Sequence, residues 1–249
     1  MSADSLEMLF REFCLPTMAA RFAEMMQVAE VQNWGYRKLL LQLCEAVAAD
    51  RRERKRERLL RESKLPSGKT LGNLADGQLP AKVRRQLPTL LEGGFVERAE
   101  NLLVFGLPGR GKTHFLCALG RELILRRGCP VYFTSTFKLV QQLLAAKQEL
   151  RLDAALKKLD RFEAIILDDL GYVQQSREEM EVLFTFLAER YERRSVLVSS
   201  NLVFSKWDQI FKDPMTTMAA VDRLVHHAII LEFDGESQRV PRHKEKGGG

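Results

Sequence analysis

The feature that most constrains this chain lies near its middle. Gly106-Leu107-Pro108-Gly109-Arg110-Gly111-Lys112-Thr113 fits G-x-x-x-x-G-K-[ST] without a mismatch. The apolar run Leu102 to Phe105 precedes it, and a helical pattern from His114 to Leu125 follows. Strand, glycine-rich turn and helix, in that order, are what a phosphate-wrapping loop requires. The glycines let successive N–H groups turn inward onto phosphate oxygens, and the helix N-terminus adds positive potential. The motif therefore assigns Gly106, Pro108, Gly109, Arg110, Gly111, Lys112, Thr113 and His114 to ATP. Lys112 would reach the β- and γ-phosphates, and the Thr113 hydroxyl would ligate magnesium. His114 is read as the first residue of the helix and not as a metal ligand.

Four further apolar runs follow the loop or close the chain: Val131–Phe133, Ala164–Leu167, Val196–Val198 and Ala228–Leu231. Short continuous runs suit strands buried on both faces, and amphipathic helices between them imply an α/β fold with a parallel sheet. The third run ends in Asp168-Asp169. Two acids after four buried apolar residues are costly unless a cation neutralises them. Asp168 is assigned to the magnesium-bound water. Asp169, expected on the other side of the strand end, is assigned as general base for the attacking water. A strand ending in a polar turn, with Gly171 following, is the bland alternative. The fourth run ends in Ser199-Ser200-Asn201, where the Asn201 amide could hydrogen-bond the γ-phosphate or the water. Arg223, just before the last run, is either a surface ion pair or a charge offered to a neighbour's nucleotide. The tandem His226-His227 has no metal-ligand partner at helical spacing and is read as packing at a helix–strand junction.

Ahead of the loop, residues 1 to 64 read as three helices. Leu6, Leu9, Phe10 and Phe13 share one face; Thr17 caps a second helix; Leu39, Leu40, Leu43 and Val47 line a third, longer helix that starts near Gly35 and runs on into the basic stretch. Residues 65 to 100, punctuated by glycines and prolines, read as a linker with short helices and as the entry to the nucleotide site. Residues 101 to 240 form the ATPase domain, and 241 to 249 a flexible tail. The net charge is 39 − 33 = +6, and almost all of it lies in one run. Residues 51 to 64 hold eight Lys/Arg against three Asp/Glu. Such a run is either a solvated helix face or a phosphate-contacting one. No membrane span or secretory signal is read, and Cys14, Cys44, Cys117 and Cys129 show no CxxC spacing. Reduced thiols and a cytoplasmic location are the expectation.

Together these segments resemble the IstB family of AAA+ ATPases, helpers of insertion-sequence transposition and close to the DnaC helicase loaders. The resemblance spans nearly the whole chain. It rests on Leu15-Pro16-Thr17-Met18, Lys69-Thr70-Leu71, GLPGRGKTH, VYFTSTFKLVQQLL, AIILDDLGY, SSNLVFSKWDQIFKDP, VDRLVHHAIILEF and GESQR. It implies an AAA+ fold: a five-stranded parallel sheet of order 5-1-4-3-2 after a small all-helical N-terminal domain, with no sizeable C-terminal lid. Asn201 becomes a sensor, and Arg223 a finger that completes a neighbour's site. ATP-dependent ring, spiral or filament assembly on double-stranded DNA follows, with a transposase as partner. One departure is Gln238 before Arg239, where relatives carry an aromatic residue. For a DNA-holding protein the candidate cations are Arg51, Arg52, Arg54, Lys55 and Arg58 on the basic helix. A second set follows the second strand: Lys138, Arg151 and Lys157, with Thr136, Lys147 and Lys158. The expected activity is an ATPase that grips and deforms target DNA, recruits a transposase and disassembles on hydrolysis. A helicase loader is the alternative. A metabolic P-loop kinase would require an acceptor pocket and lid that the sequence does not suggest.

Overall fold

The central apolar runs become strands because their alternate side chains are buried in two different cores, whereas the last run is an edge strand with Ile230 exposed. β1 (Asn101–Phe105), β2 (Val131–Ser135), β3 (Ala164–Leu170), β4 (Ser195–Ser200) and β5 (Ala228–Glu232) form one parallel sheet of order β2-β3-β4-β1-β5. This is the order the family resemblance implies. The computed structural model describes residues 3–74, 79–171, 176–202, 207 and 221–234. Arg239, the tail from 241 and the question of a lid lie outside those residues.

The crossover helices are α6 (Lys112–Arg127), α7 (Thr136–Gln148) with α8 (Leu152–Asp160), and α9 (Arg177–Arg190). Leu103, Phe105, Ile165, Leu167, Val196 and Val198 face one core with α7 and α9. Leu102, Val104, Ala164, Ile166 and Leu197 face the other, with α6 and α4 (Ala81–Glu92). The period-two split explains why the runs are apolar without a break. Local signals start the helices: Ser135 accepts from Lys138 N–H to cap α7, and Ser176 with Glu179 forms a capping box on α9. Gly120 lets α6 lie against the sheet; a Cβ there would sit 2.9 Å from Ile166 Cδ1 and 3.2 Å from Val131 Cγ1.

At the strands' N-terminal ends a buried cation closes the back of the sheet. The Arg190 guanidinium donates to the carbonyls of Leu159, Phe162, Glu163 and Ser195. Burial pulls its pKa down to about 9. Four carbonyl acceptors compensate the desolvation and hold the turn before β3 against the start of β4.

The chain divides into two compact units, 1–58 and 59–249. In the first, α1 (Ala3–Glu12), α2 (Pro16–Val31) and most of α3 (Tyr36–Glu62) are helical. The third helix is long, at 27 residues, and runs into the basic stretch as its pattern predicts. Three details differ from the sequence expectation. Leu43, Ala46 and Val47 are buried on α3, whereas Leu40 is 60% exposed, because it lies off that stripe. Thr17 does not cap α2: Leu15 occupies the cap position with Pro16 following, and the Thr17 hydroxyl instead donates to Asp50 Oδ2 at 2.6 Å. The unit boundary falls at 58 and not 64, because Leu59 packs in a core of the second unit. The 65–100 segment also belongs to that unit. It carries α4 and α5 (Gly94–Glu97), and it contributes Val83, Leu90 and Phe95 to the core facing α6. Among the described residues no helix is long and apolar enough to cross a membrane.

Two predictions follow from this packing. Gly120→Val should overpack the helix–sheet contact and lower stability by about 1–3 kcal/mol, read as a drop in denaturation midpoint. Cys117 is fully buried, and burial pushes its thiol up to about 12, so roughly one part in ten thousand is thiolate at pH 8. Brief alkylation of the native chain should modify the exposed Cys14 and Cys44 and spare Cys117 and Cys129. Peptide mass mapping checks this.

Candidate nucleotide site

The site forms where β1, β3 and β4 end together, because a parallel sheet brings all its C-terminal strand ends to one edge. A pocket of about 390 Å³ there is lined by Lys69, Pro108–His114, Asp168, Asp169 and Asn201. Residues up to 132 positions apart in sequence, Lys69 to Asn201, thus face one another. The loop from Gly106 to Gly111 turns into α6, whose first residues are Lys112 and Thr113. Gly106 has φ +150, and a Cβ on it would meet the Phe233 carbonyl oxygen at 2.5 Å, so no side chain fits. Arg110 Nη1 donates to that same Phe233 carbonyl at 3.2 Å and pins the loop to the chain just after β5. The Lys112 ammonium is buried within the loop and donates to the Gly106 and Leu107 carbonyls at 2.6 and 3.0 Å.

Asp168 is the hub. Its Oδ1 accepts from the Thr113 hydroxyl at 2.7 Å and from the Ser199 hydroxyl at 2.6 Å. Ser199 Oγ in turn accepts from the Asp169 N–H at 2.9 Å, and Thr136 Oγ1 donates to the Asp168 carbonyl at 3.1 Å. Two strands and two helix starts are therefore fastened around Asp168. The β3–β4 register shifts between Leu167 and Leu170, and Asp169 has φ +57. A regular strand would send Asp169 to the opposite face from Asp168. The bulge and the left-handed backbone instead put both acids on the lining of one pocket, correcting the expectation of opposite sides. A left-handed Asp costs strain, which here is held by the Ser199 bond and the β4 ladder.

The structure brings Gly109, Arg110, Gly111, Lys112, Thr113, His114, Pro108, Asp168, Asp169 and Asn201 together. It does not bring Arg223 to them. The Arg223 and Leu224 carbonyls accept from the Asn101 side chain, at the opposite end of β1. Five strand residues, about 17 Å, separate that end from the phosphate loop. His226 and His227 are exposed rather than packed. Glu192, from the turn before β4, approaches them, with its Oε1 3.5 Å from His227 Nε2, and Tyr191 Oη lies 3.0 Å from His226 Nδ1. The three groups could hold a metal ion, so a carboxylate partner exists that helical spacing could not reveal.

Of the basic candidates, Arg51, Arg52, Arg54, Lys55 and Arg58 are exposed on α3, and Arg54 pairs with Asp50 at 3.0 Å. Arg51, Lys55 and Arg58 recur at i, i+4 and i+7, one stripe of the helix. Lys138, Arg151 and Lys157 are exposed as well, but Arg151 bonds Glu149 and Lys147 pairs with Glu181. Thr136 is not available to an outside ligand: it is buried and bonded to the Asp168 carbonyl. Sequence reasoning also missed Ser199 and Lys69. Ser199 lay beside Asn201 in an ordinary-looking turn, and Lys69 lay in a presumed linker.

Comparison with known proteins places this geometry. A family model described as IstB-like ATP binding protein matches residues 9–246. An insertion sequence ATP-binding protein of Sinorhizobium fredii is 40% identical over 94% of this chain and 78% of its own length. The ATP-binding protein of insertion sequence IS5376 from Geobacillus stearothermophilus is 36% identical over 92% of both chains. Among solved structures, the DnaC helicase loader superposes with a TM-score of 0.53 at 20% identity, covering 62% of this chain and 92% of the loader. At that identity the likeness is one of fold.

Proposed function

The chain belongs to the IstB-like ATP binding protein family, and we propose that it is an ATP-dependent DNA-binding transposition helper that assembles on duplex target DNA. The observation that carries the ATP reading is the pocket itself, where a glycine-rich loop, its lysine and a two-hydroxyl-bonded carboxylate line one cavity. The likeness to a helicase loader rests on fold alone, whereas the relatives at 36–40% identity carry insertion-sequence names. That difference favours the transposition reading.

In this reading the loop N–H groups and Lys112 bind the triphosphate. Magnesium fits the donor set, since Thr113 Oγ1 and Asp168 Oδ1 are hard oxygens 2.7 Å apart. Held there, the ion would draw negative charge off the β- and γ-oxygens. Asp169 accepts the proton of the attacking water as its oxygen bonds the γ-phosphorus and the bond to the β-phosphate oxygen breaks, leaving ADP and phosphate. Asn201 orients that water or the γ-phosphate. Arg223 is too far along the sheet to serve its own nucleotide and acts on a neighbour's, so hydrolysis needs an oligomer. The Arg51, Lys55 and Arg58 stripe contacts DNA phosphates. A transposase is recruited to the ATP-bound assembly, which comes apart after hydrolysis.

Asp169→Asn and Arg223→Ala should each slow DNA-stimulated hydrolysis by about a hundredfold or more. Mixing the two proteins should restore part of it, because an intact Arg223 then completes an intact Asp169 site; no recovery on mixing overturns the intersubunit role. Replacing Arg51, Lys55 and Arg58 with glutamine should flatten the log–log salt dependence of DNA affinity by about 0.9 per lost phosphate contact. An unchanged slope would return that stripe to an ordinary solvated face. Stimulation of strand transfer by the cognate transposase supports the helper reading, and helicase loading without such stimulation would defeat it.

A further inference from the structure

The strap of chain at residues 63–74 closes one flank of the pocket. The Ser63 carbonyl accepts from the Phe133 N–H of β2 at 2.7 Å, and the Pro66 carbonyl accepts from Arg121 Nη2 at 3.4 Å. The Thr70 carbonyl meets His114 Nε2 at 2.9 Å. The strap is also braced internally: Asn73 Nδ2 donates to the Gly68 carbonyl, and Asn73 N–H donates to Thr70 Oγ1. The outer clamps grip β2 and α6, the second of them through the first residue past Thr113.

Between the Pro66 and Thr70 clamps the strap presents Lys69. This lysine is half-buried and lines the same pocket as the phosphate loop, Asp168, Asp169 and Asn201. It forms no ion pair among the described residues. The strap that carries it is bonded to β2 at Ser63 and to the start of α6 at Thr70. Lys69 therefore stands on the flank formed by β2 and β3. Arg110 stands on the other flank, bonded to the chain after β5. On the Lys69 flank, Ser135 of β2 is in register with Asp168. The carboxylates that face the terminal phosphate end of a bound triphosphate are there too. A half-buried ammonium with no carboxylate partner among the described residues, set beside a phosphate-wrapping loop, is an anion-binding group.

We propose that Lys69 is a second triphosphate-binding cation, held by the strap against the γ-phosphate on the Asp168 side, and that it makes the site prefer ATP over ADP. This deepens the ATP reading above and rests on it. Lys112 lies within the loop and serves any nucleotide with a β-phosphate. Lys69 contributes only when a third phosphate is present. His114 then has a role apart from direct phosphate contact: it is a positioning residue that holds the strap at Thr70.

The test is calorimetric titration of the full-length chain with ATP and, separately, ADP, each with magnesium. The proteins are the wild type, Lys69→Met, Lys69→Arg and Lys112→Ala. Lys69→Met should lose about tenfold in ATP affinity with ADP affinity held within about twofold, the scale of one charge-assisted contact. Lys69→Arg should recover most of the loss. The melting temperature of Lys69→Met without nucleotide should match the wild type, since the ammonium forms no ion pair among the described residues. Equal losses for both nucleotides, or an unchanged ATP-to-ADP ratio, overturn the proposal. A wild-type chain that binds neither nucleotide would defeat the ATP reading itself, and Lys112→Ala binding as well as wild type would do the same.

Discussion

One carboxylate oxygen organises the functional end of this molecule. Asp168 Oδ1 takes hydroxyl hydrogen bonds from Thr113 at the start of α6 and from Ser199 near the end of β4. Asp168 itself ends the run of buried apolar residues in β3. A carboxylate in that position must be satisfied by donors or a cation, and the fold supplies both possibilities from the same atoms. The two hydroxyls fix which way the acid points, and they tie the phosphate loop to the two strands beside it. The bulge at Asp168-Asp169 follows from this arrangement, because β3 leaves its ladder with β4 where the Ser199 side chain bonds the Asp169 backbone.

The rest of the second unit holds that edge in place from both ends. At the strands' N-terminal ends, Arg190 gathers four carbonyls into one buried cluster. Along α6, Gly120 allows close contact with Ile166 and Val131. Next to the loop, Gly106 leaves room for the Phe233 carbonyl, which Arg110 then binds. Trp207 is fully buried with its ring centroid 6.1 Å from that of Phe105, and its indole N–H donates to the Leu202 carbonyl. Trp207 is thus a packing residue under the end of β1. In the proposed mechanism the two ends of the sheet have different partners. There the loop end would serve the chain's own nucleotide and the Arg223 end a neighbouring copy, which would make hydrolysis a property of the assembly.

Much of this was legible in the residues. The phosphate loop announced itself because wrapping phosphates demands glycines at fixed spacing between a strand and a helix. The strands were legible because burial on both faces removes polar residues from the run. Their spatial order, by contrast, came from family resemblance and not from any pattern in the runs. Thr17 was misread because Ser, Thr and Asp near a helix start signal a cap, yet here Pro16 begins the helix and Thr17 finds Asp50, 33 residues away. Leu40 was misread because a leucine cluster hides which of several helical stripes faces the core.

Sequence alone settled what is local or periodic: the loop and the helix after it, the five apolar runs, the acids at a strand end, and the basic run over residues 51 to 64. Only the tertiary structure decided what depends on a hydrogen bond across long separations. It put Asp168 and Asp169 on one pocket, made Ser199 their common partner, and turned a glycine- and proline-marked stretch into a strap that carries Lys69 to the phosphate loop. The physical reason is that periodicity encodes which face is buried, whereas a carboxylate's partners are chosen by the meeting of strand ends that no spacing in the chain records.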